Sequence, residues 1–312
     1  FDIQGKKIYN KIHLLFGLFN RLVKEQDVRN GYLYGGNADS INAHFDILNN
    51  AAYSHLEFKL KNFEINMGAR YDINNLNYMS TGRQVNPETY ETNFFNELPV
   101  SYYDQGISSI ISIGHDFSKT IKHSIEFSTG YKPGGINQSI ILDNKYQTYS
   151  KETNLSSEYS INYNSQALSS TINLFYIYRT NPQVRLYYQF NSDLPTSFDF
   201  YTSNANTGYT MGAEINVKIL FNKYLSISQD IGLLQNFLNT YFSPLDKKYY
   251  GNRSSSHSPM YNYKTEILLN HDTGLFGNIT FTGVDGYYYD DQYNYKSSPY
   301  DLIHVSAGFQ FR

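Results

Sequence analysis

The sequence predicts an all-β protein, a transmembrane antiparallel β-barrel with short periplasmic turns and long extracellular loops. Three observations predict it. Apolar and polar residues alternate with period two through about twelve segments, and the joins between those segments are alternately short and long. Tyrosine and phenylalanine are abundant, at 32 and 21 of 312 residues, while tryptophan and cysteine are absent. A soluble sheet protein has no reason to collect every long loop at one end and every tight turn at the other. A barrel of the bacterial outer membrane does so, and carries aromatic girdles at both interfaces.

The alternation marks strands over 8–23, 44–60, 63–76, 106–117, 121–132, 152–164, 168–181, 207–220, 223–237, 258–270, 275–289 and 300–311. Short joins fall at 61–62, 118–120, 165–167, 221–222 and 271–274. Long joins, rich in tyrosine, fall at 24–43, 77–105, 133–151, 182–206, 238–257 and 290–299. Successive side chains of a strand point to opposite faces. In the last strand Ile303, Val305, Ala307, Phe309 and Phe311 therefore share one face, opposite Leu302, His304, Ser306, Gly308 and Gln310. Strand 207–220 sets Met211, Ala213, Ile215, Val217 and Ile219 against Gly212, Glu214, Asn216 and Lys218. Strand 63–76 sets Ile65, Met67, Ala69 and Tyr71 against Glu64, Asn66, Arg70 and Asp72. One face is too polar for a soluble core and the other too apolar for a surface in water. A polar lumen inside an apolar, lipid-facing wall accounts for both. In hydrocarbon every backbone N–H and C=O must be paired, so such a sheet has to close. With the last strand ending in the periplasm, all the long loops lie outside. An even count of twelve then puts both chain ends in the periplasm, the first strand running outward from near Gly5–Lys7.

Composition narrows the classes further. A mean hydropathy of −0.51, with no apolar run approaching 18 residues, excludes transmembrane helices but not strands. A net charge of −3 gives no basis for nucleic-acid binding. Without cysteine there is neither a disulfide framework nor a thiolate metal site. The abundant Asn, Ser and Tyr are shared with prion-like disordered tracts, but disorder would not produce regular alternation. No signal peptide precedes Phe1, so the sequence reads as a mature chain or part of a longer one.

The segment Gly130-Tyr131-Lys132-Pro133-Gly134-Gly135-Ile136-Asn137 resembles the GxKxGGxN-type strand-to-loop signature of TonB-dependent outer-membrane receptors. Ala51-Ala52-Tyr53 with Gly68-Ala69-Arg70-Tyr71-Asp72 resembles a strand pair of that family upstream of the signature. In family order there follow Lys151-Glu152…Glu158-Tyr159, Asn173-Leu174-Phe175-Tyr176, Asn206…Gly212-Ala213-Glu214 and the closing Val305-Ser306-Ala307-Gly308-Phe309-Gln310-Phe311; Arg312 after the terminal aromatic departs from the pattern. The resemblance implies a ferric-siderophore-type receptor, with haem and cobalamin as other cargoes. It implies a barrel of 22 strands with a plug in its lumen. The chain would then be the C-terminal barrel portion over 1–312, without the plug. Its partners would be outer-membrane lipid and lipopolysaccharide, an N-terminal plug and the remaining barrel strands, a TonB-type energy-coupling complex acting through the plug, and a metal-chelate ligand. The alternative is a self-contained twelve-strand passive pore, anchor or adhesin.

Glu64, Arg70, Glu126, Glu158, Glu214 and Lys218 fall on the predicted lumen face, to grip a plug or line a solute path. The plainer reading is a solvated wall whose individual pairs contribute little. At the extracellular mouth the candidates for ligand contact are Tyr102, Tyr103, Arg185, Tyr187, Tyr249, Tyr250 and Arg253, phenols for an aromatic or chelate ligand and guanidinium groups for an anionic one. Girdle and loop packing would use the same tyrosines. No cofactor is implied, and the eight histidines form no HxxxH or HxxEH pattern for a metal. His304 and Ser306 share a face without a third orienting group, so no catalytic residues are assigned. Facing has a direct test. Arginine at Ile215, Val217, Phe127 or Phe309 should lower stability by about 2–4 kcal/mol in folding titrations into lipid, and at Asn216, Lys218, Glu126 or Gln310 much less. Equal losses on both faces would contradict the barrel.

Overall fold

The computed structural model describes residues 1–312 except 10, 31–39, 86–88, 90, 139–141, 190–192, 194–197 and 312. The described residues form nineteen strands and one short 3-10 turn at Asn144–Tyr146. The first six are β1 (Asp2–Tyr9), β2 (Ile12–Asn30), β3 (Ser40–Leu60), β4 (Phe63–Val85), β5 (Thr92–Asp116) and β6 (Ile121–Lys132). Next come β7 (Gly135–Ile136), β8 (Thr148–Tyr149), β9 (Glu152–Asn164), β10 (Leu168–Thr180), β11 (Gln183–Gln189) and β12 (Phe198–Asn204). The last are β13 (Thr207–Leu220), β14 (Leu225–Leu238), β15 (Tyr241–Ser243), β16 (Lys248–Tyr250), β17 (Tyr261–Asn270), β18 (Leu275–Val284) and β19 (Tyr300–Phe309). Thirteen of them make one antiparallel sheet in the order β1-β2-β3-β4-β5-β6-β9-β10-β13-β14-β17-β18-β19. The other six pair off as small hairpins, β7–β8, β11–β12 and β15–β16, within the long joins.

The short joins close locally. Ser118 Oγ accepts the Ile121 amide at 3.0 Å, and Ser165 Oγ accepts the Leu168 amide at 3.1 Å while donating to its carbonyl at 3.0 Å. Asn222 Oδ1 accepts the amides of Tyr224 and Leu225 at 2.8 and 3.0 Å. These are side-chain turns of the kind Asn and Ser favour, which is why the sequence can reverse in so few residues. Gly274, at φ +97°, completes the 271–274 turn.

Cross-strand register carries the two faces through the sheet. Ile125, Tyr159, Leu174, Ala213 and Leu233 stand opposite one another from β6 to β14, and Ile227, Ile267, Ile279 and Val305 do so from β14 to β19. Large apolar side chains of this face remain open, Phe127 at 49% and Leu174 at 49% among them. Among the described residues the buried apolar core lies elsewhere, in the outer joins. Leu142, Val184, Leu186, Tyr201, Ala205, Leu238 and Tyr241 form its larger cluster, in which Leu186 and Ala205 have no exposed surface, and Ile41, Ala43 and Tyr78 form a second at the outer ends of β3 and β4.

The predicted strand 275–289 ends at Val284, and two larger features depart from the sequence expectation. Several strands are longer than predicted: β4 has 23 residues and β5 has 25, so much of the predicted loop 77–105 is paired sheet. A barrel strand needs only about 9–11 residues to cross the bilayer, so this hairpin continues well past it. The second departure is β1, which pairs with β2 from Asp2↔Phe19 to Tyr9↔Ile12 and raises the count from twelve to thirteen. Its residues mix Lys, Gln and Asp with Ile and Tyr on both faces, so alternation did not mark it. It runs toward the end of the sheet that holds the short turns, and so does β19. The expectation of an outward first strand and an even count is thereby overturned.

The odd count has a consequence for closure. Among the described residues β1 pairs only with β2, and β19 only with β18. Val305 on β19 is 70% exposed while its cross-strand partner Ile279 on β18 is 36% exposed, the asymmetry of a strand with one neighbour. Joining β1 directly to β19 would make a parallel pair in an otherwise antiparallel sheet, against the even, antiparallel rule of bacterial barrels. Residues 1–312 expressed without further strands are therefore expected to lack the heat-modifiable gel mobility of a closed barrel. A heat-modifiable monomer of this chain alone would show that β1 and β19 close on each other.

Candidate functional site

The charged candidates of the wall lie on one face, and that face is concave. Lys122 Nζ on β6 donates to Glu64 Oε2 on β4 at 2.8 Å, reaching past β5, and the Arg70 guanidinium on β4 lies 5.2 Å over the ring of Phe19 on β2. Side chains can span an intervening strand only where the sheet curves toward them. Ring contacts on the apolar face join neighbouring strands instead, as in Tyr176–Tyr209 at 6.3 Å and His123–Tyr159 at 6.1 Å.

The six wall residues fall into three kinds. Glu64 and Arg70 are paired: Arg70 donates from Nε to both oxygens of Asp72 at 2.9 Å, with a further Nη2–Oδ1 contact of 2.7 Å. Glu126 and Glu158 stand directly opposite each other on β6 and β9, and among the described residues Glu158 receives only the Ser160 hydroxyl, at 3.1 Å. Like charges placed opposite each other in a sheet repel. Glu214 and Lys218 share the polar face of β13, both exposed, and enter no ion pair among the described residues.

At the outer end, strand alternation separates the paired tyrosines. Tyr102 turns to the concave side against Gly134, while Tyr103 points to the apolar face and is 59% exposed. Tyr250 faces the loop core and its neighbour Tyr249, 74% exposed, faces away. Three candidates converge on the segment Asp290–Tyr293. The Tyr187 ring lies 5.7 Å from Tyr293 and close to Phe198 and Phe200 at 5.6 and 6.2 Å. Tyr250 donates its hydroxyl to Asp246 Oδ2, which also accepts Gln292 Nε2 at 3.3 Å. Arg253 donates to the carbonyls of Tyr293 and Asp290, each at 2.8 Å, and lies 4.0 Å over the Tyr288 ring. Its guanidinium is therefore occupied in tying loops together. Arg185 is the more open cation, exposed and 5.1 Å over the Phe200 ring.

Two residues outside the sequence candidates organise this mouth. Asn137 binds Thr202 at both backbone atoms, accepting its N–H at 2.7 Å and donating to its C=O at 2.9 Å, and also donates to the Tyr146 carbonyl at 2.9 Å. Gln292 does the same to Tyr187, accepting its N–H at 2.8 Å and donating to its C=O at 2.9 Å. The hairpin β11–β12 is thus held on both edges by side-chain amides that mimic a further strand. Asn137 belongs to the glycine signature read from the sequence; Gln292 stood in a tyrosine-rich loop with no signal to mark it. The signature glycines allow close approach. A Cβ on Gly134 would meet the Tyr102 hydroxyl at 2.1 Å and the Tyr149 carbonyl at 2.4 Å. The Gly134 amide donates to Asp104 Oδ2 at 3.0 Å. A second tie, Glu152, accepts Arg179 Nε at 2.6 Å and the Gln183 amide at 2.9 Å.

Burial, with Asp290, Tyr293 and Asp246 nearby, pushes the Tyr187 phenol up to about 12. Burial also raises Tyr250, helped by its bond to Asp246, and Tyr241, helped by Asp291. Around the β11–β12 hairpin the described residues thus set neutral phenols and the exposed Arg185 guanidinium on a clamped frame.

The family model described as TonB dependent receptor-like, beta-barrel, matches residues 4–312. No curated protein sequence matches the chain. Among solved structures it is similar to the ferric yersiniabactin uptake receptor FyuA from Yersinia pestis, with a TM-score of 0.79 at 17% identity over 99% of this chain and 46% of that one. It is similar to the copper transporter OprC, with a TM-score of 0.74 at 10% identity over 100% of this chain and 48% of that one. It is also similar to the siderophore receptor PiuA from Acinetobacter baumannii, with a TM-score of 0.70 at 12% identity over 99% of this chain and 49% of that one. The chain thus spans about half the length of these structures.

The buried phenols give the outer frame a pH signature. Because the folded Tyr187 pKa lies above the ordinary value near 10, its contribution to stability is complete below about pH 10 and lost as pH rises through about 12. Phenolate absorbance should therefore develop in two stages on alkaline titration, exposed tyrosines first, with the second stage coinciding with protease sensitivity of the outer joins. Asn137→Leu should bring that sensitivity on at neutral pH. A single titration step, or unchanged protease resistance in Asn137→Leu, would contradict the clamped frame.

Proposed function

Because the chain belongs to the TonB-dependent receptor-like β-barrel family, we propose that it forms the C-terminal part of an outer-membrane receptor that imports a scarce solute, a ferric siderophore or related metal chelate. The observation that carries this reading is the match of the family over 4–312, joined to a sheet whose first and last strands each have one free edge. Further barrel strands would satisfy those edges, since hydrocarbon offers backbone groups no other partner. A plug inside the closed barrel would meet the concave wall. There the facing Glu126 and Glu158 carboxylates would receive a basic group, and the exposed Glu214 and Lys218 would take polar ones. An inner-membrane energy-coupling complex would act on that plug.

Among the similar structures, FyuA is a ferric yersiniabactin uptake receptor, PiuA a siderophore receptor and OprC a copper transporter. The outer mouth of this chain supports a chelate cargo on its own chemistry. Tyr187, Phe198, Phe200 and Tyr293 offer aromatic surface, and Arg185, exposed and in no ion pair among the described residues, offers a cation for the negative charge that oxygen-donor metal chelates carry.

The complete receptor in detergent should bind ferric siderophores, with the heat of binding in a calorimetric titration as the readout. Arg185→Ala should weaken binding by about tenfold, the loss of one charge-assisted contact. Radiolabelled iron uptake by cells expressing the receptor should stop when the energy-coupling complex is removed. Uptake that persists without it would favour the passive pore, and failure of every ferric chelate to bind would remove the chelate reading.

A further inference from the structure

The outer joins contain a second cleft, distinct from the Tyr187 mouth and different in chemistry. It is a cavity of about 450 Å³ between β8, the end of β12 and the hairpin β15–β16. That volume falls within the range of small-ligand sites. Its lining consists of tyrosine, phenylalanine, threonine, serine, asparagine and proline, with no charged side chain.

The hairpin β15–β16 explains how the cleft arises. Tyr241 pairs with Tyr250, and this face packs into the outer core. Phe242 pairs with Tyr249 on the other face, with ring centroids 5.2 Å apart, and Tyr146 stands 6.4 Å from Phe242 across the cleft. Tyr249 is 74% exposed although it is aromatic and set in a strand. The result is an aromatic platform with open ring faces. Lys145 lies 4.6 Å from the Tyr146 ring but is not part of the lining.

Hydrogen-bonding groups surround this platform. Asn204 is fully used, donating to the carbonyls of Ser150 and Asn181 at 3.0 and 2.9 Å and accepting the Ser150 amide at 2.8 Å. Thr148, Thr240 and Asn206 also line the cleft, and none of their side chains makes a hydrogen bond to the described residues. Two hydroxyls and one amide, each able to donate and accept, thus border the mutually tilted rings of Tyr146, Phe242 and Tyr249. An anionic chelate would find no cation in the lining, and a cation would find no carboxylate. A purely apolar ligand would strand the hydroxyls and the amide. A pyranose ring answers each demand: its C–H face lies on aromatic rings and its hydroxyls exchange bonds with neutral donors and acceptors.

We propose that this cleft is a seat for a neutral saccharide unit, a binding site separate from the chelate mouth and independent of which solute is transported. The test uses the complete receptor in detergent, titrated calorimetrically with a panel of neutral gluco-, manno- and galacto-oligosaccharides and with uronic-acid oligosaccharides as the charged comparison. At least one neutral series should bind while the uronic-acid series does not. Tyr249→Ala should weaken that binding by about tenfold, the loss of one aromatic face. Thr240→Val should weaken it as well, and Arg185→Ala should leave it unchanged. Both Tyr249 and Thr240 are exposed, so neither substitution threatens folding. Absence of binding across the neutral panel would overturn the proposal. So would preference for the uronic acids, or affinity unchanged in both Tyr249→Ala and Thr240→Val.

Discussion

Backbone hydrogen bonding in a medium without water is the constraint on which the rest of this structure depends. A strand in hydrocarbon has no partner for its N–H and C=O groups except another strand, so the sheet must be continuous. Thirteen strands satisfy that requirement for one another through a continuous antiparallel sheet and, among the described residues, leave it open at β1 and β19. The side-chain pattern follows from the same ladder. Once neighbours are locked in register, alternation is copied from strand to strand, and Ile227, Ile267, Ile279 and Val305 stay together on one face. The opposite face is free to be polar, because it meets the lumen.

Beyond the bilayer that constraint lapses and ordinary soluble-protein packing takes over. There the larger buried apolar cluster of the described residues lies between loops, around Val184, Leu186 and Tyr201, and a smaller one lies where β3 and β4 extend outward, at Ile41, Ala43 and Tyr78. Loop backbones still need partners, and side-chain amides supply them. Asn137 and Gln292 each engage both backbone atoms of a single residue, one on each edge of β11–β12. A two-stranded hairpin alone is marginal in water. Clamped on both edges and set over an apolar core, it becomes a fixed support for the residues at the mouth.

The legible part of the sequence is the part governed by the membrane. Ile215, Val217 and Ile219 against Glu214, Asn216 and Lys218 is a contrast that only a two-sided environment produces, and it located β13 to the residue. The short turns were legible because Ser118, Ser165 and Asn222 close them locally. Outside the bilayer both faces of a strand are wet and the contrast fades, so the extensions of β4 and β5 read as loop. Strand β1 was missed for a similar reason, its faces being of mixed polarity. Tyr102 and Tyr103, like Tyr249 and Tyr250, read from the sequence as joint candidates for the mouth, yet adjacent residues in a strand point apart, and one of each pair leaves the site. Gln292 could not have been found at all. Its role depends on the loop bringing it to Tyr187, 105 positions away in the chain.

The wall and the mouth differ in how completely their polar groups are satisfied. At the mouth, Arg253, Asn137 and Gln292 are each committed to several partners within the chain. In the wall, Arg70 is paired with Asp72 and Glu64 with Lys122, but Glu126 and Glu158 face each other, Glu158 accepts the Ser160 hydroxyl, and neither enters an ion pair among the described residues. An opposite-charge or neutral pair at that position would suit the sheet better, since like charges directly across a ladder destabilise it. Two carboxylates held toward the lumen from adjacent strands form instead a bidentate acceptor, the complement of a guanidinium or a pair of ammonium groups. On the proposed reading the missing charge comes from a plug. Docking would then relieve a repulsion built into the wall, so that the barrel alone is less favourable than the barrel filled. The frame at the mouth carries no such debt to a partner, and can hold its shape whether the lumen is occupied or not.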